Sequence, residues 1–381
     1  MTNLKKKFKY DTQKVSVKIS DIFIDEQVKD SPVVADFQSR LGITGRVIGD
    51  PGQVFQAVSH AIDPVQKGKE VLYLTRNKGA FIRECPGTRS YICCGYKILH
   101  IGTFCTMDCS YCILQAYFHP PLLQFFVNYE DMVRELAMEF SKPVISRIGT
   151  GEFTDSMIWE YGTSLSALLV PLFGAQTRAV LELKTKTTDI QRLKHLSHNR
   201  KTICAWSLNT ERIIREQERN TASLNARLRA AETCQSWGYP LAFHFDPVVL
   251  YDGCEEEYRA VIQKLFAQVS ADNIVWISIG TFRFIPELKS IIQNRFCDST
   301  IAYGEFITGT DGKMRYFKPL RLNFYQKLVS WIREIAPNVR VYFCMEDDDI
   351  WEKTMGFTPE KYGGLSRMLD LSAEEHCGLF V

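Results

Sequence analysis

The sequence has 381 residues, of which 45% are hydrophobic, and its 46 basic and 44 acidic side chains leave a formal net charge of +2. This near balance excludes a global positive field of the kind that binds nucleic acid, so any such surface must be local. No apolar run is long enough to span a membrane, and we expect no export signal. The twelve cysteines favour a cytoplasmic protein with reduced thiols over a secreted disulfide scaffold.

The first 95 residues predict a small α+β region that covers one end of the main domain. Lysines cluster within residues 5–14, which we interpret as a solvated tail, with a nucleic-acid-binding arm as the alternative. Strands are predicted at residues 21–24 and 70–74, and helices at residues 35–41 and 54–62.

The end of this region contains three cysteines: Cys85, Cys93 and Cys94. Their spacing matches no common run of metal ligands, and adjacent cysteines more often point in different directions. We interpret them as structural or pocket-lining thiols, and a second metal site is the alternative.

From residue 97 onward, apolar strand-like runs alternate with helical patterns, which is typical of repeated β-α units and a parallel sheet. Strands are predicted at residues 98–104, 144–148, 179–183, 202–207, 241–245 and 274–279, and helices at 130–141, 156–173, 189–196, 223–237 and 255–269. Six such units predict a partial (β/α)6 barrel over residues 96–285, with its active site at the carboxyl ends of the strands. Residues 286–381 predict a helix-strand extension, with a helix at 322–335, a strand at 339–343 and a short helix from about 347.

A run of cysteines with the spacing C-x3-C-x2-C follows the first predicted barrel strand: Cys105, Cys109 and Cys112. Thiolates bind iron–sulfur clusters, and an ordinary cluster takes four of them. A cluster held by only three cysteines has one iron without a protein ligand, and that iron can bind a small molecule. The alternatives are three buried structural cysteines, or three ligands of a zinc site whose fourth ligand lies elsewhere.

This spacing resembles that of the radical S-adenosylmethionine (SAM) enzymes. In them, the amino and carboxylate groups of SAM fill the open position on a 4Fe–4S cluster. One electron from the cluster then cleaves SAM and leaves a 5′-deoxyadenosyl radical. The resemblance implies that the protein binds, aims and shields these cofactors, which supply the radical chemistry.

Polar residues at the other predicted strand ends are candidates for holding SAM. Gly151 allows close approach of the backbone after the second strand, and Glu152 offers an acceptor for the SAM ammonium group. Lys186 follows the third strand, and Ser207 and Asn209 follow the fourth, where they could bind the carboxylate or the ribose. The alternatives are a snorkelling lysine and ordinary helix caps.

From about residue 72 to residue 343, the chain resembles the spore photoproduct lyase family of radical SAM enzymes. The matching residues are Cys85-Pro86, 105–115, Thr154-Asp155, Lys186, 207–209, 226–239 and 253–258. The family has a partial (β/α)6 barrel and reverses a thymine dimer of spore DNA. The resemblance therefore implies damaged DNA as a partner, together with a reductant such as flavodoxin or ferredoxin.

Carried over position by position, the resemblance implies roles for several residues. Cys105, Cys109 and Cys112 would hold the 4Fe–4S cluster, and Tyr111 would act beside it in a hydrogen-transfer relay. The residues that would contact SAM are Thr154, Lys186 and Ser207, with Asn209 nearby.

Two departures from the family pattern fall on the step that returns hydrogen to the product. The lyase has a cysteine just after the second barrel strand, where this chain has Glu152, or Phe153 on a shifted alignment. The lyase also has a second tyrosine after its third cluster cysteine, where this chain has Ile113. We expect either that another thiol, such as Cys93, Cys94, Cys204 or Cys344, replaces the donor or that the substrate differs.

The first hypothesis is therefore a radical SAM lyase acting on damaged pyrimidines in DNA. The alternatives are a radical SAM enzyme acting on a small molecule, peptide or RNA, and a non-enzymatic cysteine-bound metal module. Four basic residues interleaved with Tyr316 and Phe317 could form a local DNA surface: Lys313, Arg315, Lys318 and Arg321. The alternative is a solvated turn before the helix predicted at residues 322–335.

Overall fold

The computed structural model describes residues 19–87 and 90–381. The lysine cluster predicted as a solvated tail lies outside the described residues. Within the described ranges, no helix is both long and apolar enough to cross a lipid bilayer.

The region before the barrel contains the predicted strands and helices. Its elements are β1 (Asp21–Asp25), α1 (Pro32–Leu41), β2 (Arg46–Ile48), α2 (Gly52–Ser59), α3 (Pro64–Glu70), β3 (Val71–Thr75) and β4 (Ile82–Glu84). Local signals set the ends of α1: the Ser31 hydroxyl accepts a hydrogen bond from the backbone N–H of Val33, Pro32 occupies the first turn, and Gly42 ends the helix at φ +67°.

The barrel region follows. Its elements are β5 (Lys97–Leu99), β6 (Gly102–Thr103), β7 (Asp108–Cys109), α4 (Leu114–Tyr117), β8 (Leu123–Phe126), α5 (Tyr129–Ser141), β9 (Ser146–Gly149), α6 (Leu165–Gly174), β10 (Ala179–Thr185), β11 (Thr202–Ser207), α7 (Glu211–Gln217), β12 (Glu218–Arg219), α8 (Leu224–Ser236), β13 (Leu241–Val248), α9 (Cys254–Gln268) and β14 (Ile274–Thr281). Every residue of β11 and β14 is buried, as expected for parallel strands covered on both faces.

The C-terminal part packs further elements onto this region. They are β15 (Arg283–Phe284), α10 (Pro286–Arg295), β16 (Phe306–Thr308), β17 (Met314–Tyr316), α11 (Lys318–Ile335), β18 (Val341–Phe343), α12 (Asp348–Met355) and α13 (Leu365–Cys377). The sequence predicted α11, β18 and α12 but not α10 or α13. It also missed the small antiparallel sheet of order β15-β17-β16.

The predicted partial (β/α)6 barrel is confirmed. In the described chain, the largest sheet has the order β18-β14-β13-β11-β10-β9-β5-β4. The six predicted barrel strands, β5, β9, β10, β11, β13 and β14, are neighbours in parallel. The C-terminal strand β18 extends the sheet in parallel beside β14, and β4 pairs antiparallel with β5. The carboxyl ends of the parallel strands therefore meet at one edge.

A second sheet lies beside the barrel and has the order β2-β1-β3-β8-β6. Its strands β2, β1, β3 and β8 are parallel, and β6 pairs antiparallel with β8. This sheet draws strands from both sides of residue 95. The division into domains at residues 1–95, 96–285 and 286–381 stays a prediction.

The predicted first barrel strand, residues 98–104, divides between the two sheets. Its start is β5 in the barrel, and its end is β6 against β8. Glycine at position 102 permits this pairing, because a Cβ there would lie 2.3 Å from the carbonyl oxygen of Gln124. Phe104 then turns the chain at φ +69° into the cysteine run.

Two predicted helices are shorter than expected. The helix predicted from residue 156 begins at Leu165 as α6, because the Asp155 carboxylate ties the intervening turns to the end of β10. That carboxylate accepts hydrogen bonds from the Thr185 hydroxyl at 2.8 Å and from the Lys186 backbone N–H at 3.0 Å. The helix predicted at residues 189–196 is a single 3-10 turn, Gln191–Leu193.

Candidate active site at the carboxyl edge of the barrel

The cysteine run forms a loop whose backbone is fixed by two buried side chains. The Lys69 ammonium group, from α3, donates to the carbonyl oxygens of Cys105 at 3.0 Å and Met107 at 2.5 Å. The Gln115 side-chain amide donates to the carbonyl oxygens of Cys109, Ser110 and Cys112 at 3.0–3.3 Å. The loop carbonyls are therefore satisfied by the protein, and the thiols are left for another ligand.

The three thiols differ in exposure, with Cys105 and Cys109 buried and Cys112 partly exposed. Burial raises the pKa of Cys105 to about 12 and that of Cys109 further. These thiols are therefore protonated unless a metal replaces their protons. In the described ranges, no three His, Cys, Asp or Glu side chains converge closely enough to hold a single metal ion. The trio therefore does not show the compact geometry of a zinc site.

A cavity of about 750 Å³, including its open mouth, joins this loop to the strand ends. It is lined by Cys105, Met107, Cys109, Tyr111, Cys112, Ile113, Leu114, Gly151, Glu152, Thr154, Asp155, Lys184, Thr185, Lys186, Ser207 and Asp246. Nine of the ten candidate site residues from the sequence are in this set. The ends of the strands and the cysteine loop therefore face the same cavity. This is the expected place for the active site of such a barrel, at the carboxyl ends of its strands.

Asn209 is the candidate that the cavity does not include. It is buried, its side-chain N–H donates to the carbonyl of Pro247 at 2.8 Å, and its Oδ1 accepts from the Tyr258 hydroxyl at 2.6 Å. These contacts tie the segment after β11 to β13 and to α9. The role of Asn209 beside SAM stays a prediction.

Two polar groups in the cavity are placed for a ligand. The Thr154 hydroxyl is buried and has no hydrogen-bond partner in the described structure. The Lys186 ammonium lies 5.7 Å from the centre of the Tyr111 ring. Burial alone would lower the pKa of Lys186, but the neighbouring Cys109 and Glu218 raise it, so this side chain is a cation. An anionic group of a ligand bound beside Lys186 would therefore form a charge-assisted hydrogen bond with this buried ammonium.

Tyr111 belongs to a buried chain of polar groups that the sequence did not reveal. Its hydroxyl donates to Glu218, and the same carboxylate accepts from Arg227 on α8. Arg227 is fully buried and also donates to the carbonyl of Ser207 at 2.9 Å. The phenol of Tyr111 is therefore held in one orientation by its hydrogen bond to this carboxylate. Burial would raise the pKa of Glu218, but Arg227 and Lys186 lower it and keep the carboxylate charged.

Further ion pairs line the mouth of the cavity. Glu152 lies 3.9 Å from the Lys184 ammonium, and Asp246 lies 3.2 Å from Arg283. Glu152 is partly exposed, so its carboxylate is open to a ligand on the cavity side.

The predicted DNA surface of four basic residues is wrong. Arg315 and Arg321 are buried, and they pair with Asp311 at 2.7 Å and Glu346 at 3.0 Å. Lys313 lies 3.8 Å from Asp311, and Lys318 lies 2.9 Å from both Asp347 and Asp349. Asp311 lies close to Lys313 and Arg315 in the sequence, whereas the acidic partners of Lys318 and Arg321 lie about 25–31 residues further along the chain.

Comparison with known proteins identifies the family. The family model of spore photoproduct lyase matches residues 90–349, which is more than half of the chain. The chain belongs to the spore photoproduct lyase family. It is 26% identical over 267 residues to the spore photoproduct lyase of Clostridium acetobutylicum, covering 68% of this chain and 75% of that protein. It is 26% identical over 253 residues to the Bacillus subtilis lyase, covering 64% and 74%.

Solved structures of spore photoproduct lyase share the fold. One that holds AdoMet and dinucleoside spore photoproduct superposes with a TM-score of 0.73 at 21% identity, covering 84% of this chain and 98% of that one. Another, complexed with dinucleoside spore photoproduct, gives a TM-score of 0.74 at 20% identity, covering 86% and 99%. Family membership makes the chain a radical SAM enzyme, and its expected cofactors are a 4Fe–4S cluster and SAM.

Proposed function

We propose that this chain is a lyase that cleaves SAM reductively at a 4Fe–4S cluster held by Cys105, Cys109 and Cys112, and that it repairs pyrimidine dimers in DNA. The observation that carries the proposal is the single cavity onto which the cysteine trio and the ends of β9, β10 and β11 open. We also propose that a reductant such as flavodoxin or ferredoxin supplies the electron to the cluster, and that the protein is cytoplasmic.

The cysteine loop fits a cluster that keeps one iron free of protein ligands. Its thiols come from one short segment whose carbonyl groups are already bonded to Lys69 and Gln115. The acidic group beside them, Asp155, is occupied by hydrogen bonds from Thr185 and Lys186. The side of the loop that faces the cavity is therefore left to a small-molecule ligand.

The cavity residues fit the polar groups of SAM. Lys186 would bind the carboxylate, Thr154 offers a hydroxyl without a partner, and Ser207 stands at the end of β11. Glu152 would accept hydrogen bonds from the ammonium group, beside the cation of Lys184. When bound, the two cofactors supply a 5′-deoxyadenosyl radical. The chain binds them, orients them and excludes water.

Tyr111 would act in the hydrogen-transfer relay. Its hydroxyl donates to Glu218, so this carboxylate would hold the O–H group in one orientation while the phenol passes on a hydrogen atom, proton and electron together, and later takes one back. Arg227 keeps that carboxylate charged and fixed in place. Because Tyr111 lies between two cluster cysteines and lines the cavity, it would act next to both cofactors.

We infer DNA as the substrate from the relatives, because the solved lyases bind dinucleoside spore photoproduct. A dimer in a duplex must leave the base stack to reach a cavity of this kind. Phe153, next to Glu152, contacts the rings of His100, Tyr117 and Phe118. Tyr117 is half exposed, so this aromatic cluster, which lies outside the residues lining the cavity, would offer a surface on which an extruded base can stack.

The proposal is tested by anaerobic reconstitution with iron and sulfide, followed by dithionite and SAM. We expect 5′-deoxyadenosine from the wild-type chain and from Cys297→Ala, whose cysteine is exposed and lies outside the cavity. We expect none from Cys109→Ala. Activity that survives in Cys109→Ala would remove the ligand assignment.

The substrate is tested separately with oligonucleotides that contain a thymine dimer. We expect binding that weakens with salt, and conversion of the dimer to thymines. Cleavage of SAM without any binding or conversion of dimer-containing DNA would overturn the repair assignment and favour a non-DNA substrate.

A further inference from the structure

A second group of thiols lies outside the cavity described above. Cys85, Cys93 and Cys94, whose spacing matched no ligand run, line one cavity together with Cys344, which directly follows β18. This second cavity measures about 310 Å³ including its mouth, and Tyr91, Ile92, Phe343 and Met345 form its apolar walls. All four cysteines are free thiols. The fold therefore supplies a fourth cysteine that the sequence could not associate with the other three.

Backbone contacts hold the contributing segments together. The N–H of Ile92 donates to the carbonyl of Glu346 at 3.1 Å, which joins the loop carrying Cys93 and Cys94 to the segment carrying Cys344. A Cβ at position 87 would lie 2.9 Å from the Cys93 sulfur. Glycine at that position therefore lets the turn after Cys85 approach the thiol closely. The arrangement depends on the fold rather than on one flexible loop.

Two arginines contact residues of this group of cysteines. The Arg283 guanidinium lies 3.3 Å from the Cys344 sulfur, and Arg147 donates to the carbonyl of Cys94. Burial nevertheless raises the pKa of Cys85 to about 12 and that of Cys344 to about 11, so these thiols stay protonated until a metal replaces their protons. Arg283 also pairs with Asp246, a residue of the SAM-site cavity. The second cavity is therefore a neighbour of the first.

The chemistry of four thiolates fits either of two ligands. Structural zinc and protein-held iron–sulfur clusters both take four cysteines. A single zinc ion requires all its ligands to meet at about 2.3 Å from one point. In residues 19–87 and 90–381, no three His, Cys, Asp or Glu side chains meet in that way. The thiols line the walls of one cavity instead, which suits an extended, polynuclear ligand.

We propose that Cys85, Cys93, Cys94 and Cys344 ligate a second iron–sulfur cluster. With four protein thiolates, this cluster has no open iron, so it does not bind SAM and is distinct from the one at Cys105, Cys109 and Cys112. Cys93 is exposed, so the second cluster lies at the protein surface, beside the first cavity.

The test removes the first cluster and asks whether iron remains. The full-length variant Cys105→Ala/Cys109→Ala/Cys112→Ala is reconstituted anaerobically and desalted, and its iron, acid-labile sulfide and zinc are measured. We expect about two to four iron atoms per chain with an equal amount of sulfide, as cysteine-bound clusters contain. We also expect visible thiolate-to-iron absorption. Adding Cys93→Ser and Cys344→Ser to this variant should abolish both signals, whereas adding Cys297→Ser should not.

A converse variant keeps the result interpretable if the triple variant misfolds. Cys85→Ser/Cys93→Ser/Cys94→Ser/Cys344→Ser leaves the first trio intact and should hold about four iron atoms, about two to four fewer than the wild-type chain. Circular dichroism shows whether each variant is folded. A folded triple variant without iron and sulfide, or with zinc alone, would overturn the proposal. So would a quadruple variant with the full wild-type iron content. SAM cleavage is not measured here, so failure leaves the proposed function untouched.

Discussion

At the scale of single residues, one cation in the cavity is expected to decide SAM affinity. Lys186→Met removes the positive charge while keeping a similar apolar stem. A hydrogen bond to a charged group contributes about 1.5–3 kcal/mol, so SAM should bind about tenfold or more weakly. Equilibrium binding of SAM to the reconstituted protein measures this loss. Lys194→Met, on an exposed turn, is the matched control. Equal affinities in the two variants would show that Lys186 does not contact SAM.

Single residues also show which parts of the site could be predicted from the sequence and which could not. Cys105, Cys109 and Cys112 were found from their spacing alone, because one short loop carries all three. Glu218 was missed, because its partners Tyr111 and Arg227 come from different segments and no local pattern joins them. Arg321 was misinterpreted for the same reason, because its partner Glu346 comes from a distant segment. The partner of Arg315 is Asp311, only four residues earlier, so the sequence contained this pair but did not show that the fold buries both side chains.

At the scale of elements, Glu139 joins α5 to the barrel edge and makes stability depend on pH. Its carboxylate accepts hydrogen bonds from Lys97 and Ser146, both at 2.5 Å. Burial alone would raise the pKa of Glu139, but the bonds from Lys142, Lys97 and Ser146 lower it from 4.5 to about 2. The folded state therefore holds the charged form, and this contribution is complete above pH 4.5. It is lost as the pH falls toward about 2, where the folded state must also take up the proton.

We therefore expect Glu139→Gln to lower the free energy of unfolding by about 1.5–3 kcal/mol at pH 7. The deficit should shrink progressively below pH 4.5, where the wild-type chain loses the same contribution. Urea unfolding at several pH values measures both effects, with Glu130→Gln on the exposed face of α5 as control. A deficit that stays constant down to pH 3 would contradict the assigned partners.

The division of the predicted first strand rests on another element contact, between β6 and β8. Gly102→Ala would place its Cβ 2.3 Å from the Gln124 carbonyl oxygen, so backbone must move. We expect a loss of about 1–3 kcal/mol in the free energy of unfolding. Gly304→Ala is the control, because its Cβ would meet only the Phe306 ring at an ordinary 3.4 Å. A stable Gly102→Ala protein would mean that β6 and β8 are less closely paired than described.

Elements were predicted best where the pattern was local. The runs of β11 and β14 were recognised because buried parallel strands are continuously apolar. The start of α6 was placed about nine residues too early, because the Asp155 carboxylate, bonded to the end of β10, holds that stretch in turns. Helical periodicity does not reveal such a long-range bond. Similarly, the strand run at residues 98–104 contains no local sign that its two halves join different sheets.

At the scale of the whole molecule, the five-stranded sheet and the barrel are joined at the cysteine loop. Lys69 stands at the centre of this junction: it belongs to α3, and its ammonium donates to the carbonyls of Cys105 and Met107. It also lies 3.7 Å from Asp108 and 4.3 Å from the centre of the Phe104 ring. One buried lysine from the N-terminal region therefore shapes the loop that carries the proposed cluster ligands.

Lys69→Met should affect stability and cluster retention together. Removing the ammonium leaves two buried carbonyls without their donor and takes one of two cations from Asp108, which keeps Arg295, so we expect a loss of about 2–4 kcal/mol in the free energy of unfolding. The loosened loop should also release iron faster when the reconstituted protein is challenged with a chelator. Lys67→Met is the matched control on the same helix, because Lys67 makes a partly exposed ion pair with Asp21 that contributes at most about 1 kcal/mol. If Lys69→Met lost stability but kept wild-type iron retention, the N-terminal region would support the fold without shaping the cluster loop.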